Sequence, residues 1–161
     1  MEYQRLPNET QKKTAELCLK SGADLIVDAH PHVVQPYEWK TVTMEDGREH
    51  KGLIAYSLGN FISAQRLEYK DVGTIFKLTL HKGESGEASI ESAEMIPTYV
   101  HFYRQSGKRH YVIYPVPQTL AKLQSGETYP SLTKDAIAYM RRLEKVLAVH
   151  VRTAVSKKKA S

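Results

Sequence analysis

The chain of 161 residues has an ordinary globular composition, with 41% hydrophobic and 25% charged residues, and its formal net charge is +5. Three of the positive charges stand together at residues 157–159, so the rest of the chain lacks the basic stripe that is typical of nucleic-acid binding. The sequence has no apolar run of about 18 residues and no apolar segment after Met1, and it therefore predicts no membrane span, secretory signal or anchor.

The first predicted elements are a helix and a short strand. Asn8 is a favourable N-cap, and Gln11 stands three residues later, which is the spacing of a capping box. Ser21-Gly22 ends the helix, and the apolar run at 25–27 is typical of a buried strand. Helix and strand make one half of a βαβ unit, and we expect the preceding strand to lie outside this chain.

Extended segments follow, and the chain closes on a second helix. Residues 37–42 and 50–56 flank Asp46-Gly47, a pair that favours the turn of a hairpin. Alternating apolar positions predict further antiparallel strands around residues 76–80, 90–96, 99–103 and 111–114. Helical spacing of apolar residues predicts a helix over 132–149. We assign residues 1–151 to a single partial domain and residues 152–161 to a basic disordered tail.

The residues with metal-binding chemistry concentrate in the segment Asp28-Ala29-His30-Pro31-His32. If this segment is extended, His30 and His32 project to the same side with Cα atoms about 6.5 Å apart. Pro31 favours this conformation because a residue before proline is disfavoured in the helical region. The pair also follows a strand, at the end where α/β folds bind ligands. The spacing therefore predicts that both imidazoles face one metal site.

Alternative interpretations accompany each of these residues. An isolated His-x-His pair often packs or hydrogen-bonds without a metal. Asp28 either joins the histidines as a third ligand or accepts a hydrogen bond from a neighbouring loop amide. Ser57 and Asn60, beside Gly59, either line a substrate or anion site or only shape the turn after the strand.

The amino-acid sequences of two segments resemble those of a known family. Residues 22–36 read GADLIVDAHPHVVQP, and residues 54–61 read IAYSLGNF. These strings resemble the CapA family of bacterial poly-gamma-glutamate capsule proteins, whose fold is that of calcineurin-like phosphoesterases. The similarity extends over approximately residues 2–80. It implies an α/β fold, the second half of an αββα sandwich with mixed sheets and a helix near each end.

The resemblance also implies a metal site. His30 and His32 correspond to the last metal-binding motif of the superfamily, Gly-His-x-His, while the other ligands come from earlier motifs that this chain does not contain. Ala29 stands in place of the motif's glycine. Asp28 also replaces a usual glycine. The expected cofactor is a divalent ion, Mn, Fe or Zn, which a chain with only this motif binds incompletely or not at all. Gln35 belongs to the family's continuation of the metal loop, and we count it with Ser57 and Asn60 as a candidate substrate-binding residue.

Two functions follow from the resemblance. In the first, this chain contributes the His-x-His part of a dimetal phosphoesterase-like site, acting on a phosphate ester or an anionic polymer in capsule biosynthesis. It would then need an N-terminal-half partner or a second copy of itself. In the second, the chain is a non-catalytic scaffold or interaction subunit of polymer synthesis or export. An incomplete sheet exposes an edge that invites pairing with another chain, so we expect self-association or a partner.

Overall fold

The computed structural model describes residues 2–155 and has an α/β architecture. In chain order its elements are α1 (Glu9–Lys20), β1 (Leu25–Val27), β2 (Tyr37–Thr43), β3 (Glu49–Ala55), β4 (Val72–Lys82), β5 (Ala88–Gln105), β6 (Lys108–Pro115), α2 (Val116–Gln124) and α3 (Lys134–Val155). The predicted α/β class, with one helix near each end, is confirmed. Residues 156–161 of the predicted basic tail lie outside the described range.

The capping box predicted for α1 is present. The Asn8 side chain accepts a hydrogen bond from the backbone N–H of Gln11, and the Gln11 side chain accepts one from the backbone N–H of Asn8. These two bonds satisfy donors that every helix leaves unpaired at its N-terminus. Ala15 and Leu19 of α1 are buried against the first sheet.

The first sheet has the strand order β1-β3-β2, with β3 at its centre. Strand β1 pairs parallel to β3, and β2 pairs antiparallel to it through the predicted hairpin turn at Asp46-Gly47. Ile54 of β3 packs in the small cluster beneath α1, whereas Leu53 and Ala55 pack in the main core on the opposite face. The centre of this sheet is therefore covered on both faces.

Strand β1 is not the buried strand that its apolar sequence predicts. Leu25 is 37% exposed and Val27 is 50% exposed, and only Ile26 packs against the cluster beneath α1. Within residues 2–155, β1 pairs with β3 alone, so it forms an edge of the sheet. The described part of the chain leaves the face of β1 that carries Leu25 and Val27 open to solvent.

The second sheet is antiparallel, with β5 between β4 and β6. Residues 88–105 form one strand, although the sequence predicts separate strands there. Pro97 has no N–H to donate, and it lies in β5 opposite Thr74 of β4. Thr74 donates its own N–H away from β5, to the carbonyl of Leu58, so this pair of residues is not hydrogen-bonded across the two strands. The pairing with β6 begins only at Thr98. The missing N–H of proline thus removes no bond from either ladder.

The main core joins both sheets to α2 and α3. Met140 and Leu143 of α3 are fully buried in it together with Val116, the first residue of α2. The sequence prediction has no helix at α2. This helix begins after Pro115 without a side-chain cap, and Pro117 in its first turn is the start signal that remains in the sequence. Among residues 2–155, every helix is too short or too polar to cross a lipid bilayer.

Candidate metal half-site

Two loops meet at one edge of the first sheet. The segment 28–33 follows β1 and the segment 56–61 follows β3, and these two strands run parallel. The carboxyl ends of parallel strands lie at the same edge, which is where open α/β sheets place ligands. The isolated bridge between Val34 and Leu58 then keeps the two chain segments side by side.

The backbone of the histidine segment differs from the extended conformation that the sequence predicts. His30 has a φ of 91° and His32 a φ of 59°, both in the left-handed region. The local preference imposed by Pro31 is outweighed by tertiary contacts: Pro31 is buried, and its carbonyl accepts the backbone N–H of Tyr3 at 2.8 Å. Left-handed conformations cost about 1–2 kcal/mol per non-glycine residue and are concentrated at functional sites.

The two imidazoles nevertheless lie close together. Their ring centroids are 6.2 Å apart, with 49° between the ring planes. His30 is exposed, and His32 is half-buried beneath Tyr3, whose ring centroid lies 6.1 Å away. The predicted proximity is therefore present, although two left-handed residues produce it and the alternation of an extended strand does not.

Asn60 connects the two loops. Its Oδ1 lies 3.0 Å from Nδ1 of His32, and its Nδ2 donates to the Oε1 of Gln65 at 2.9 Å and to the carbonyl of Lys70 at 2.7 Å. Gln65 in turn donates from Nε2 to the hydroxyl of Tyr3 at 3.3 Å. Asn60 thus braces a candidate ligand in this structure.

A left-handed turn precedes the carbonyl that holds Asn60. Leu67, Glu68 and Tyr69 have φ values of 64°, 52° and 69°, and the N–H of Lys70 donates to the carbonyl of Leu67 at 3.0 Å. At about 1–2 kcal/mol for each residue, such a turn persists only where surrounding contacts favour it. The turn fixes the direction of the Lys70 carbonyl toward Asn60.

Asp28 is engaged by neighbouring amides. Its Oδ1 accepts the N–H of Ala29 at 2.7 Å, and its Oδ2 accepts Nε2 of Gln11 at 3.2 Å. The loop-amide alternative is therefore present in the structure.

Tyr56, on the same side of the sheet, donates its hydroxyl to Glu38, and burial together with this bond raises the pKa of Tyr56. The phenol stays protonated throughout the neutral range.

Gln35 and Ser57 are buried inside the loops. Gln35 is 0% exposed; it donates to the carbonyls of Gln4 and Leu6 at 2.8 and 3.1 Å and accepts from Gln11 at 3.0 Å. Ser57 is 1% exposed, and its hydroxyl accepts the N–H of Gly59 at 3.2 Å. Neither side chain is open to a substrate in this structure. Both hold the shape of the loops that carry the histidines.

The described residues fit a divalent ion only in part. Imidazole nitrogens suit zinc and neighbouring transition metals, and one tetrahedral ion between two imidazoles places their centroids about 5 Å apart. The observed separation of 6.2 Å between the His30 and His32 centroids is about 1 Å longer than this distance. Within residues 2–155, however, no group of three or more His, Cys, Asp or Glu side chains is placed to hold a metal, so Asp28 does not complete a three-ligand set.

Two further histidines, His50 and His101, are bonded to backbone carbonyls. His50 Nε2 lies 2.9 Å from the carbonyl of Ala23, and His101 Nε2 lies 2.7 Å from the carbonyl of Ser131. Both rings are thereby bonded to backbone.

Comparison with known proteins finds a family model and two curated relatives that resemble this chain. Residues 1–65 match the family model described as bacterial capsule synthesis protein PGA_cap. The chain is 31% identical over 135 residues to the capsule biosynthesis protein CapA of Bacillus anthracis, a match that covers 83% of this chain and 26% of that protein. It is 41% identical over 64 residues to the PGA biosynthesis protein CapA of Bacillus subtilis (strain 168), covering 40% of this chain and 14% of that relative.

These matches show that the chain is similar to bacterial capsule-synthesis proteins that include CapA. The chain spans about a quarter, or less, of the length of the two relatives. No solved structure matches it significantly. Both histidines, Gln35, Ser57 and Asn60 lie inside the segment that the family model matches.

Proposed function

We propose that this chain contributes the two-histidine part of a divalent-metal, phosphoesterase-like site in a CapA-type protein of capsule biosynthesis. The proximity of the His30 and His32 rings, at the shared carboxyl ends of β1 and β3, carries the proposal. His30 and His32 both have a strained backbone, and Asn60 is hydrogen-bonded to His32. Two histidines that were only solvated at the surface would need neither feature. The substrate class is a phosphate ester or an anionic polymer such as poly-gamma-glutamate.

The remaining donors of such a site would come from outside the described residues. A dimetal site holds its ions roughly 3.5–4 Å apart and needs carboxylates to offset their repulsion. Two neutral imidazoles provide no negative charge. A bound ion would polarise a phosphoryl oxygen and activate water, whereas this chain's part is to hold the two rings and their loop in place.

The open edge at β1 supports completion by further protein. Leu25 and Val27 are apolar, and both are exposed on the strand that leads into the histidine loop. A parallel edge strand of this kind is ordinarily covered in α/β proteins. We propose that an N-terminal-half partner or a second copy completes the sheet and the ligand set together.

Elemental analysis combined with a phosphatase assay tests the proposed function. We expect the purified chain to bind at most about one divalent ion and to turn over para-nitrophenyl phosphate negligibly, because two imidazoles are too few donors for a dimetal centre. The double variant His30→Ala/His32→Ala should lose the bound ion, and the control His50→Ala should retain it. Robust hydrolysis by the chain alone, or metal retained by the double variant, would contradict the proposal.

A second candidate function is a non-catalytic scaffold or interaction subunit of the polymer machinery. It is favoured by the absence of a three-ligand group within residues 2–155. The two candidates differ once the chain is combined with the N-terminal part of a CapA relative. Turnover that appears on mixing and requires His32 supports the metal-site function, and metal-independent association without turnover supports the scaffold.

A further inference from the structure

We propose that Asn60 is a positioning residue that fixes His32 in the tautomer with the proton on Nδ1, so that the lone pair of Nε2 is available to a metal ion. The use of that lone pair rests on the proposed function. The tautomer itself follows from the hydrogen bonds of the chain and does not require a metal.

The orientation of the Asn60 amide is determined by Lys70. A backbone carbonyl only accepts hydrogen bonds, so the group of Asn60 that lies 2.7 Å from the Lys70 oxygen must be the NH₂. Gln65 Oε1, at 2.9 Å, accepts from the same nitrogen. The carbonyl oxygen Oδ1 of Asn60 must then point the other way, toward His32.

The Asn60 oxygen determines the protonation of the imidazole in turn. Oδ1 only accepts, so Nδ1 of His32, 3.0 Å away, must carry a hydrogen. A neutral imidazole has one ring proton, and Nε2 is therefore left with its lone pair. Metal-binding histidines commonly donate their second nitrogen to an oxygen in this way, which fixes both the tautomer and the ring orientation.

The chain of contacts continues to the N-terminal segment. Gln65 Nε2 donates to the Tyr3 hydroxyl, and the Lys70 ammonium lies 4.9 Å from the centroid of the Tyr3 ring. The backbone N–H of Tyr3 donates to the carbonyl of Pro31, between the two histidines. Asn60 is thus held by Gln65 and Lys70, and Gln65 connects it to the N-terminal segment.

The same protein contains two reference histidines with the opposite tautomer. Nε2 of His50 faces the carbonyl of Ala23, and Nε2 of His101 faces the carbonyl of Ser131, so each must carry its proton on Nε2. His32 should therefore differ from both in one spectrum.

Long-range ¹H–¹⁵N correlation spectra of the metal-free wild-type chain test the inference directly. The spectra are recorded at increasing pH until the histidine ring signals no longer change, so that the neutral rings are compared. We expect His32 to show the pattern of a protonated Nδ1, and His50 and His101 that of a protonated Nε2. A protonated Nε2 on His32 would overturn the proposal without reference to any variant.

Two variants separate positioning from general structural support. Asn60→Ala should convert His32 to a mixture of tautomers and weaken Zn²⁺ binding about 10- to 100-fold, the usual effect of removing such a partner. Gln65→Ala is the control, because Lys70 alone still orients the Asn60 amide, and His32 should keep its tautomer. The His50 and His101 signals should be unchanged in both variants, which shows that each still folds.

The outcomes distinguish this inference from the proposed function. If His32 shows the expected tautomer but the chain binds no Zn²⁺, the role of Asn60 is supported and only the proposed metal site is contradicted. Zn²⁺ binding by a chain in which Asn60→Ala leaves the His32 tautomer unchanged would overturn the role of Asn60 and leave the metal site standing.

Discussion

Gly59→Ala is expected to destabilise the chain by about 2–5 kcal/mol, since two penalties combine at this position. Gly59 has a φ of 69°, which side chains other than glycine adopt at a cost. An added Cβ would also lie 2.5 Å from the carbonyl oxygen of Val72 and 2.9 Å from Cγ2 of Val34. The bridge between Gly59 and Gly73, which joins the loop after β3 to β4, leaves the backbone little room to move.

Gly47→Ala is the matched control for this prediction. Gly47 has a φ of 83°, but no atom lies within 4 Å of an added Cβ, so only the conformational penalty of about 1–2 kcal/mol applies. Urea unfolding of the two variants measures the difference. Equal losses at both positions would show that the close approach of Val72 to Gly59 does not constrain the loop that carries Asn60.

Gln35→Ala is expected to lower the free energy of unfolding by about 2–4 kcal/mol. The substitution removes three hydrogen bonds from a fully buried side chain, those to the carbonyls of Gln4 and Leu6 and that from the Gln11 amide, and each such bond contributes about 0.5–1.5 kcal/mol. Some of this cost is recovered where water enters. The N-terminal segment should loosen, because Gln35 connects it to α1.

The same substitution at an exposed glutamine separates this effect from a change in composition. Gln124→Ala, at the exposed end of α2, should change the unfolding free energy by no more than about 0.5 kcal/mol. Both variants are compared by urea denaturation. A loss at Gln35 no larger than that at Gln124 would mean that the buried network does not hold the loop.

Local sequence signals predict most of the elements because those elements depend on neighbouring residues. The capping box of Asn8 and Gln11 and the turn at Asp46-Gly47 are short-range patterns, and both are present in the structure. Strand β5 and helix α2 differ from the prediction for the opposite reason. Pro97 is accommodated through Thr74 and Leu58, far away in sequence, and α2 begins without a side-chain cap.

The sequence indicates the candidate residues of the site but not their geometry. His30 and His32 stand together in the sequence, and their proximity follows from that. Their left-handed backbone depends on Tyr3 and a buried Pro31, and no local rule predicts it. Asn60 contacts Gln65 and Lys70, which lie on either side of the left-handed turn at residues 67–69. This turn contains no glycine, so the sequence does not indicate it.

The exposure of β1 shows a similar limit. A short apolar run predicts burial, yet Leu25 and Val27 are exposed, and we propose that further protein covers them. An apolar pattern indicates that a strand favours burial, but it does not indicate whether the same chain or another one packs against that strand. The mismatch between sequence and exposure is itself the reason to expect a partner at this edge.

A Zn²⁺ titration followed through the histidine side-chain resonances tests the central claim most directly. The sequence has seven histidines, and we expect His30 and His32 to shift together at the lowest Zn²⁺ concentrations while His50 and His101 stay unchanged. Shifts that begin at other histidines, or that leave His30 and His32 unmoved, would contradict a metal half-site at the carboxyl ends of β1 and β3.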